Sequence, residues 1–295
     1  MSPLMRRQAG YGVAYITPGM IIILIFCIVP IIMTLYYSFT DYNLAQSPDW
    51  IALENYEKVL TNSQLRRALW NTVIYVIITV PLQTLLALFV ANFLAEYLNN
   101  RYGRVIRSVI FIPTLASYVA AATVWKVILS SRGGLLNEVL GIFGIAPINW
   151  LGEPTLALIC VSLVAVWKSV GYFTIIFYAG IMNISVDIRE AALIDGATPR
   201  QRFWKITLPL MTPAIFYVLI VSLINAFQLF PQIMIMTDGG PNGATQVMVE
   251  RIYKYGFRYY RMGYAAAFSW LLFIIIMLCT WLQMKGQKKW VNYDS

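Results

Sequence analysis

The sequence predicts an all-α, polytopic membrane protein of six transmembrane helices, and three properties carry the prediction. Hydrophobic residues make up 59% of the 295 and charged residues only 12%, about half the charged share of a soluble chain. So few charges cannot cover a surface that faces water. Mean hydropathy is +0.67, and the apolar residues are varied (12 Met, 9 Trp, 19 Tyr, 15 Phe), as packed helices in lipid require and a low-complexity chain does not. A window of about 20 residues, enough to cross about 30 Å of hydrocarbon, finds six apolar stretches.

Tyr15 to Phe39 is the first stretch. Arg6 and Arg7 precede it as they would a secretory signal, but the apolar run is too long for one and no small-x-small cleavage site follows. Leu69 to Leu94, Val105 to Leu129, Thr155 to Ile181, Pro209 to Met236 and Gly263 to Met284 complete the set. The expected organisation is a cytoplasmic N-terminal segment over 1–14, a six-helix membrane domain over 15–284 and a cytoplasmic tail over 285–295. An even number of spans places both termini on one side. That side carries twelve Lys and Arg in its loops against eight on the other, so the excess of basic residues puts the termini in the cytoplasm. The net charge of +9 is scattered among loops, with no concentrated basic face for nucleic acid.

Prolines interrupt several spans: Pro30, Pro81, Pro113, Pro209, Pro213 and Pro231. Each lacks an amide hydrogen and clashes with the carbonyl four residues earlier, so kinks are expected there. Neighbouring helices often satisfy the freed carbonyls. A hinge or cavity is most expected at Pro231, because Asn225 and Gln228 lie one to two turns before it.

Residue counts also exclude chemistry. Histidine is absent, which removes imidazole-based hydrolysis and His-ligated metals. Cys27, Cys160 and Cys279 sit far apart in apolar runs and read as small buried hydrophobes. No metal site is expected. There is no G-x-x-x-x-G-K-[ST] loop and no Gly-Lys pair, so the chain cannot cradle a nucleotide in that way.

The stretch from Ser185 to Pro209 between spans four and five is polar and reads as two short helices. Asp187 as N-cap with Glu190 three residues later makes one capping box, and Gly196 suits the left-handed end of that helix. Thr198 as N-cap, Pro199 at the first position and Gln201 at the third make a second box, from which a helix is expected to run on into span five. Two capped helices in succession describe a rigid exposed elbow. Ala191 and Ala192 keep one face small for close approach by another protein, with Arg189 and Asp195 at the rim. A helix lying on lipid would instead need large apolar residues opposite a basic face.

These residues resemble a known family. Glu190-Ala191-Ala192, Asp195-Gly196-Ala197 and Ile206-Thr207-Leu208-Pro209 look like the EAA loop of permease subunits of bacterial binding-protein-dependent ABC importers. Further marks resemble its carbohydrate branch, the larger maltose-permease and glycerol-phosphate-permease type: Tyr36 to Asp41, Asn55-Tyr56, Asn71-Thr72, and Gly239-Gly240-Pro241 with Thr245. The resemblance implies a non-catalytic transport subunit in the bacterial inner membrane, translocating a sugar or oligosaccharide delivered by an extracytoplasmic binding protein. It implies a second homologous permease, two ATP-binding cassette subunits that hold ATP and Mg, and no cofactor on this chain. Glu190, Ala191, Ala192, Asp195 and Gly196 would form the coupling helix that fits a cleft on an ATPase subunit. The first outer loop, at about 30 residues, leaves no room for a separate periplasmic domain.

Sugar recognition needs hydroxyl-pairing groups and aromatic faces within the bundle. Span four offers Lys168, Ser169 and Tyr172, and span five offers Ser222, Asn225 and Gln228, all polar groups that are costly in lipid unless paired or wet. In the maltose-type relatives the resemblance places lining residues at Lys168, Ser169, Tyr172, Ser222, Asn225, Ala226 and Leu229. Ala226 and Leu229 depart from a polar lining, which argues against an oligosaccharide of the maltose kind. Lys168 would suit an anionic solute such as a uronate or phosphorylated polyol, or else bond neighbouring carbonyls. Two further classes have weaker support. A lipid-linked glycosyltransferase would need clustered acids, and these are dispersed; an ion-coupled secondary transporter would need an acid in a span, for which Glu96 is nearest.

Overall fold

The computed structural model describes the backbone of residues 3–292 and the side chains of residues 11–292. Expectations that rest on Arg6, Arg7 and residues 293–295 lie outside the described residues. In chain order the elements are α1 (Pro3–Ile23), a π-helical turn (Leu24–Ile28), α2 (Val29–Ser38), strands β1 (Thr40–Asp41) and β2 (Asp49–Trp50), α3 (Glu54–Thr61), α4 (Ser63–Tyr97), α5 (Arg101–Leu115), α6 (Tyr118–Ile128), α7 (Leu135–Ile142) and α8 (Pro154–Met182). Then come α9 (Val186–Ile194), α10 (Pro199–Arg202), a second π turn (Phe203–Thr207), α11 (Leu208–Leu210), α12 (Thr212–Phe227), α13 (Pro231–Met236), α14 (Met248–Tyr253), a third π turn (Lys254–Arg258) and α15 (Met262–Gln287). The fold is all-α, as the sequence predicts.

Among the described residues, four helices are long and apolar enough to cross a membrane: Tyr11–Ser38, Ser63–Tyr97, Pro154–Met182 and Met262–Gln287. The count becomes six when two bent pairs are each taken as one span, α5 with α6 at 96° and Pro199–Leu210 with α12 at 67°. Spans three and five, where Pro113 and the set Pro209, Pro213 and Pro231 lead to expected kinks, are therefore broken rods. At the first break Ala116 and Ser117 are extended, with ψ of 145° and 151°, and the Ser117 hydroxyl accepts from the Ala120 amide to start α6 afresh. Pro113 lies just upstream of that break. By contrast α4 runs unbroken through Pro81. Pro30 follows the first π turn directly, and the wider turn accommodates the missing amide without a sharp kink.

The chain divides into two compact units, Met1–Asn62 with Ile252–Leu271, and Ser63–Arg251 with Leu272–Ser295. In the first, β1 and β2 pair antiparallel with Thr40 opposite Trp50. Buried Asn55 organises the loop by donating to the Ser38 and Thr40 carbonyls at 3.1 and 2.9 Å, and the Tyr56 hydroxyl meets Ser38 Oγ at 2.8 Å. The 28-residue helix Tyr11–Ser38 has an apolar window with no part buried within this chain, so lipid or another subunit covers it. Cys27 on that helix is exposed, contrary to the expectation of a buried thiol, because its helix has no intramolecular cover; Cys160 is buried and Cys279 half-buried.

In the second unit α4 and α8 pack along their length. The small Ala87 and Ala91 of α4 sit against Phe173, Phe177 and Ile181 of α8, while Tyr75 and Val80 join Val161 and Val164 in a second cluster. A helix in lipid gains close packing from such small residues. Gly171 of α8 lets α5 approach: a Cβ built there would stand 2.1 Å from the Ile110 carbonyl oxygen. Beyond α13 the loop is fastened onto α4. Asn71 Nδ2 donates to the Gly243 and Gln246 carbonyls at 3.0 and 2.9 Å, Thr72 Oγ1 accepts from the Met248 amide at 3.1 Å, and Thr245 Oγ1 donates to the Gly240 carbonyl at 2.6 Å. Asn71→Ala strands one buried and one partly buried carbonyl and is expected to destabilise the chain by about 2 kcal/mol. Thermal denaturation of the detergent-solubilised protein checks this, and a wild-type melting point would contradict it.

Candidate functional site: a polar cavity and a capped elbow

The broken fifth span builds a cavity. Helix α12 ends at Phe227, residues Gln228 to Phe230 leave helical geometry, with Phe230 at φ −144° and ψ −62°, and Pro231 opens α13. The unwound turn borders a cavity of about 200 Å³ within the second unit. Its walls are Tyr75, Thr79 and Gln83 of α4, Tyr118 of α6, Ala165, Ser169 and Phe173 of α8, Ser222, Asn225 and Ala226 of α12, then Gln228, Leu229 and Phe230 and, from α13, Gln232. Non-helical backbone at such depth is tolerated where it lines a cavity. The expected hinge at Pro231 thus coincides with the site. Every lining side chain is uncharged, and hydroxyls and amides predominate. Ser222 is fully buried, yet its Oγ has no hydrogen-bond partner among the described residues, although a helical serine ordinarily bonds the carbonyl four residues back.

The structure brings Ser169, Ser222, Asn225, Gln228 and Leu229 together around the cavity, and Lys168 and Tyr172 are not among its lining residues. Lys168 is buried with its Nζ donating to the Thr114 carbonyl at 3.1 Å and lying 4.3 Å from the Tyr118 ring centre. Thr114 Oγ1 in turn donates to the Lys168 carbonyl at 3.0 Å. The lysine is a tie between α5 and α8, because a cation in apolar surroundings must be fully engaged. Tyr172 is exposed at 40% and stacks edge-on with Phe173, one residue off the cavity face. The α4 wall was missed by sequence reasoning. Tyr75, Thr79 and Gln83 recur every four residues, a polar stripe along one face of an apolar helix, and that spacing is the signal that marks it.

The elbow forms with one shift of register. The α9 N-cap is Ser185, whose Oγ accepts from the Asp187 amide at 3.2 Å, so the expected Asp187–Glu190 box is not made. Serine two residues earlier captures the amide first and adds two residues to the helix. Gly196 has φ of +73° with open space around it, and the Thr198–Gln201 capping box is complete, the Thr198 amide donating to Gln201 Oε1 at 2.8 Å and the Gln201 amide to Thr198 Oγ1 at 3.3 Å. The following helix does not run on into span five, since the chain bends by 67° at Met211. Glu190, Ala191, Asp195 and Gly196 are exposed, but Ala192 is buried within this chain. The expected two-alanine face is therefore reduced to Ala191, because successive helical residues point about 100° apart and one of the pair must turn inward. Arg189 is half-buried in a cleft beneath the elbow, away from the rim. Glu96 forms an ion pair with Arg202, so it is not the free acid that an ion-coupled transporter would use.

Comparison with known proteins decides the family. Residues 60–284 match the binding-protein-dependent transport system inner membrane component family. The chain belongs to that family. It is 37% identical to a probable ABC transporter permease, YesP of Bacillus subtilis, with 98% of this chain and 94% of that protein covered, and 34% identical to the trehalose/maltose transport system permease MalF of Thermococcus litoralis, with 96% of each covered. Its fold is also that of a solved bacterial ABC transporter involved in import of the acidic polysaccharide alginate, with a TM-score of 0.85 at 24% identity and 98% of both chains covered. The permease is accordingly a multi-pass membrane component of an ABC importer, a transport subunit without catalysis of its own, and ATP is hydrolysed on separate subunits. An EAA loop is a feature of this family.

Proposed function

We propose that this permease carries a neutral sugar or oligosaccharide across the bacterial inner membrane. It would work with a second, homologous permease and two ATPase subunits holding ATP and Mg, and would take its solute from an extracytoplasmic binding protein. The observation that supports the neutral class is the cavity wall. Its polar groups are Tyr75, Thr79, Gln83, Tyr118, Ser169, Ser222, Asn225, Gln228 and Gln232, which can pair with sugar hydroxyls but cannot neutralise a carboxylate or phosphate. The nearby cation Lys168 is engaged with the Thr114 carbonyl. Leu229 and Ala226 add an apolar strip against which a sugar ring face can rest.

Glu190 and Gly196 place the elbow against an ATPase subunit, with Ala191 and Asp195 flanking the contact. The basic excess on the side of the termini, twelve to eight, supports a cytoplasmic elbow and cytoplasmic termini. Energy then enters at the elbow and is used at the cavity.

Two measurements test the solute class. A thermal-shift screen of the cognate binding protein against trehalose, maltose, glucuronate and glycerol 3-phosphate should show stabilisation by neutral sugars; stabilisation by the anions alone would overturn the proposal. In the assembled importer, Asn225→Leu removes a lining amide and is expected to lower uptake of the stabilising sugar by about tenfold. Wild-type uptake by that variant would remove Asn225 from the pathway.

A further inference from the structure

The elbow leads along the chain into α8 and α12, which line the cavity, and two neighbouring residues help fasten it to a further wall, α4. Arg202, the last residue of α10, pairs with Glu96 near the end of α4. Phe203 is buried in the core cluster that holds Ala87, Leu88 and Ala91 of α4, with its ring 5.6 Å from that of Phe89. Phe89 and Glu96 are seven residues apart, two turns on one face of α4. The elbow thus grips α4 at two successive points of the same face.

Arg202 also sets the elbow itself. Its Nη1 donates to the Ala197 carbonyl at 2.8 Å, the residue directly after the left-handed Gly196. One guanidinium therefore holds the angle between α9 and α10 and fastens that angle to α4. The Arg202 side chain is largely covered, at 16% exposure, whereas Glu96 stands at the surface, so solvent screens the pair from one side only. The planar fork of arginine can serve two acceptors at once with fixed directions, which an ammonium cannot. Further along α4 stand Gln83, Thr79 and Tyr75, the wall of the solute cavity. An unbroken helix transmits displacement along its axis, and α4 continues through Pro81 without a break.

We propose that the Glu96–Arg202 pair is a strut that carries movement of the elbow into α4, and so into the cavity wall. The proposal rests on the coupling role of the elbow stated above. Both are positioning residues: neither borders the solute cavity, and the cleft that holds them also reaches the exposed Glu190. Without the pair, the elbow can still meet the ATPase and respond to its stroke, but its ionic hold on α4 is lost and apolar packing, Phe203 included, remains.

The test uses the complete importer, with its partner permease, ATPase subunits and binding protein, in proteoliposomes. Glu96→Gln, Arg202→Gln and the double variant are compared for binding-protein-stimulated ATP hydrolysis and for uptake, and the quantity of interest is solute moved per ATP. Each single variant is expected to lower that ratio by about tenfold while hydrolysis continues, and the double variant to lower it no further, as members of one interaction do. Glu96→Asp keeps the charge at a shorter reach and should fall between wild type and Glu96→Gln; it also replaces Glu96→Gln should that complex fail to assemble. An unchanged ratio in Glu96→Gln overturns the strut, and so does a proportional fall of hydrolysis and uptake, which would make the pair a docking element. Additive losses in the double variant would likewise overturn it. Glu190→Ala separates the two proposals: if it leaves both activities at wild-type level the coupling role of the elbow is wrong, whereas if it abolishes stimulated hydrolysis while Glu96→Gln keeps a normal ratio, only the strut is wrong.

Discussion

Gly171→Ala is expected to prevent normal folding of the permease, through a single methyl group. The added Cβ would stand 2.1 Å from the Ile110 carbonyl oxygen and 2.8 Å from its carbon. Those atoms are backbone within α5, so no side chain can swing aside, and the two helices must separate by about 1 Å. Separation also stretches the reciprocal bonds between Thr114 and Lys168, which lie three residues from Gly171 on α8. Releasing Lys168 from its carbonyl leaves a buried cation with the Tyr118 ring as its remaining described contact. The combined cost is about 3 kcal/mol or more, at the upper end for an overpacked core. Membrane accumulation and thermal denaturation of the solubilised protein measure it. Gly141→Ala on α7, where nothing lies within 4 Å of the added carbon, is the matched control and should behave as wild type. Equal stability of the two variants would show that α5 and α8 do not meet as described.

The second large effect concerns transport. Gly196 sits at φ +73° between α9 and the Thr198 cap, and proline there would impose φ near −65°. The space around the glycine is open, so the penalty is conformational and not steric. Gly196→Pro costs about 3 kcal/mol in the native elbow, which is a factor of about one hundred in the population holding that posture. Uptake and stimulated ATP hydrolysis by the assembled importer should both fall by that order. Gly196→Ala, which adopts the left-handed region at a cost of about 1 kcal/mol, should lose several-fold. Full activity of Gly196→Pro would show that the elbow angle has no part in coupling.

The two glycines differ in how they could have been recognised. Gly196 is legible from the sequence because its signal is local: a capped helix before it, Thr198-Pro199 after it, and a left-handed turn required between them. Gly171 carries no local signal. Its importance comes from Ile110, sixty residues away in the chain, and only the packed bundle brings the two together. The same division runs through the cavity. Asn225, Gln228 and Pro231 mark the unwound turn of span five by their spacing alone, whereas the α4 wall requires knowing which face of a uniformly apolar helix turns inward.

Hydropathy, capping pattern and the EAA signature are properties of contiguous residues, and from them the sequence by itself determined the all-α membrane fold, the positions of its spans, the elbow between Ser185 and Pro209 and the family. The tertiary structure alone decided how sharply spans three and five bend, by 96° and 67°, that Lys168 ties α5 to α8 and leaves the cavity uncharged, that Ala192 turns inward, and that Glu96 answers Arg202. Each of these depends on contacts between distant segments. In an apolar helix the energy of burying one face differs little from that of another until a neighbour arrives to distinguish them.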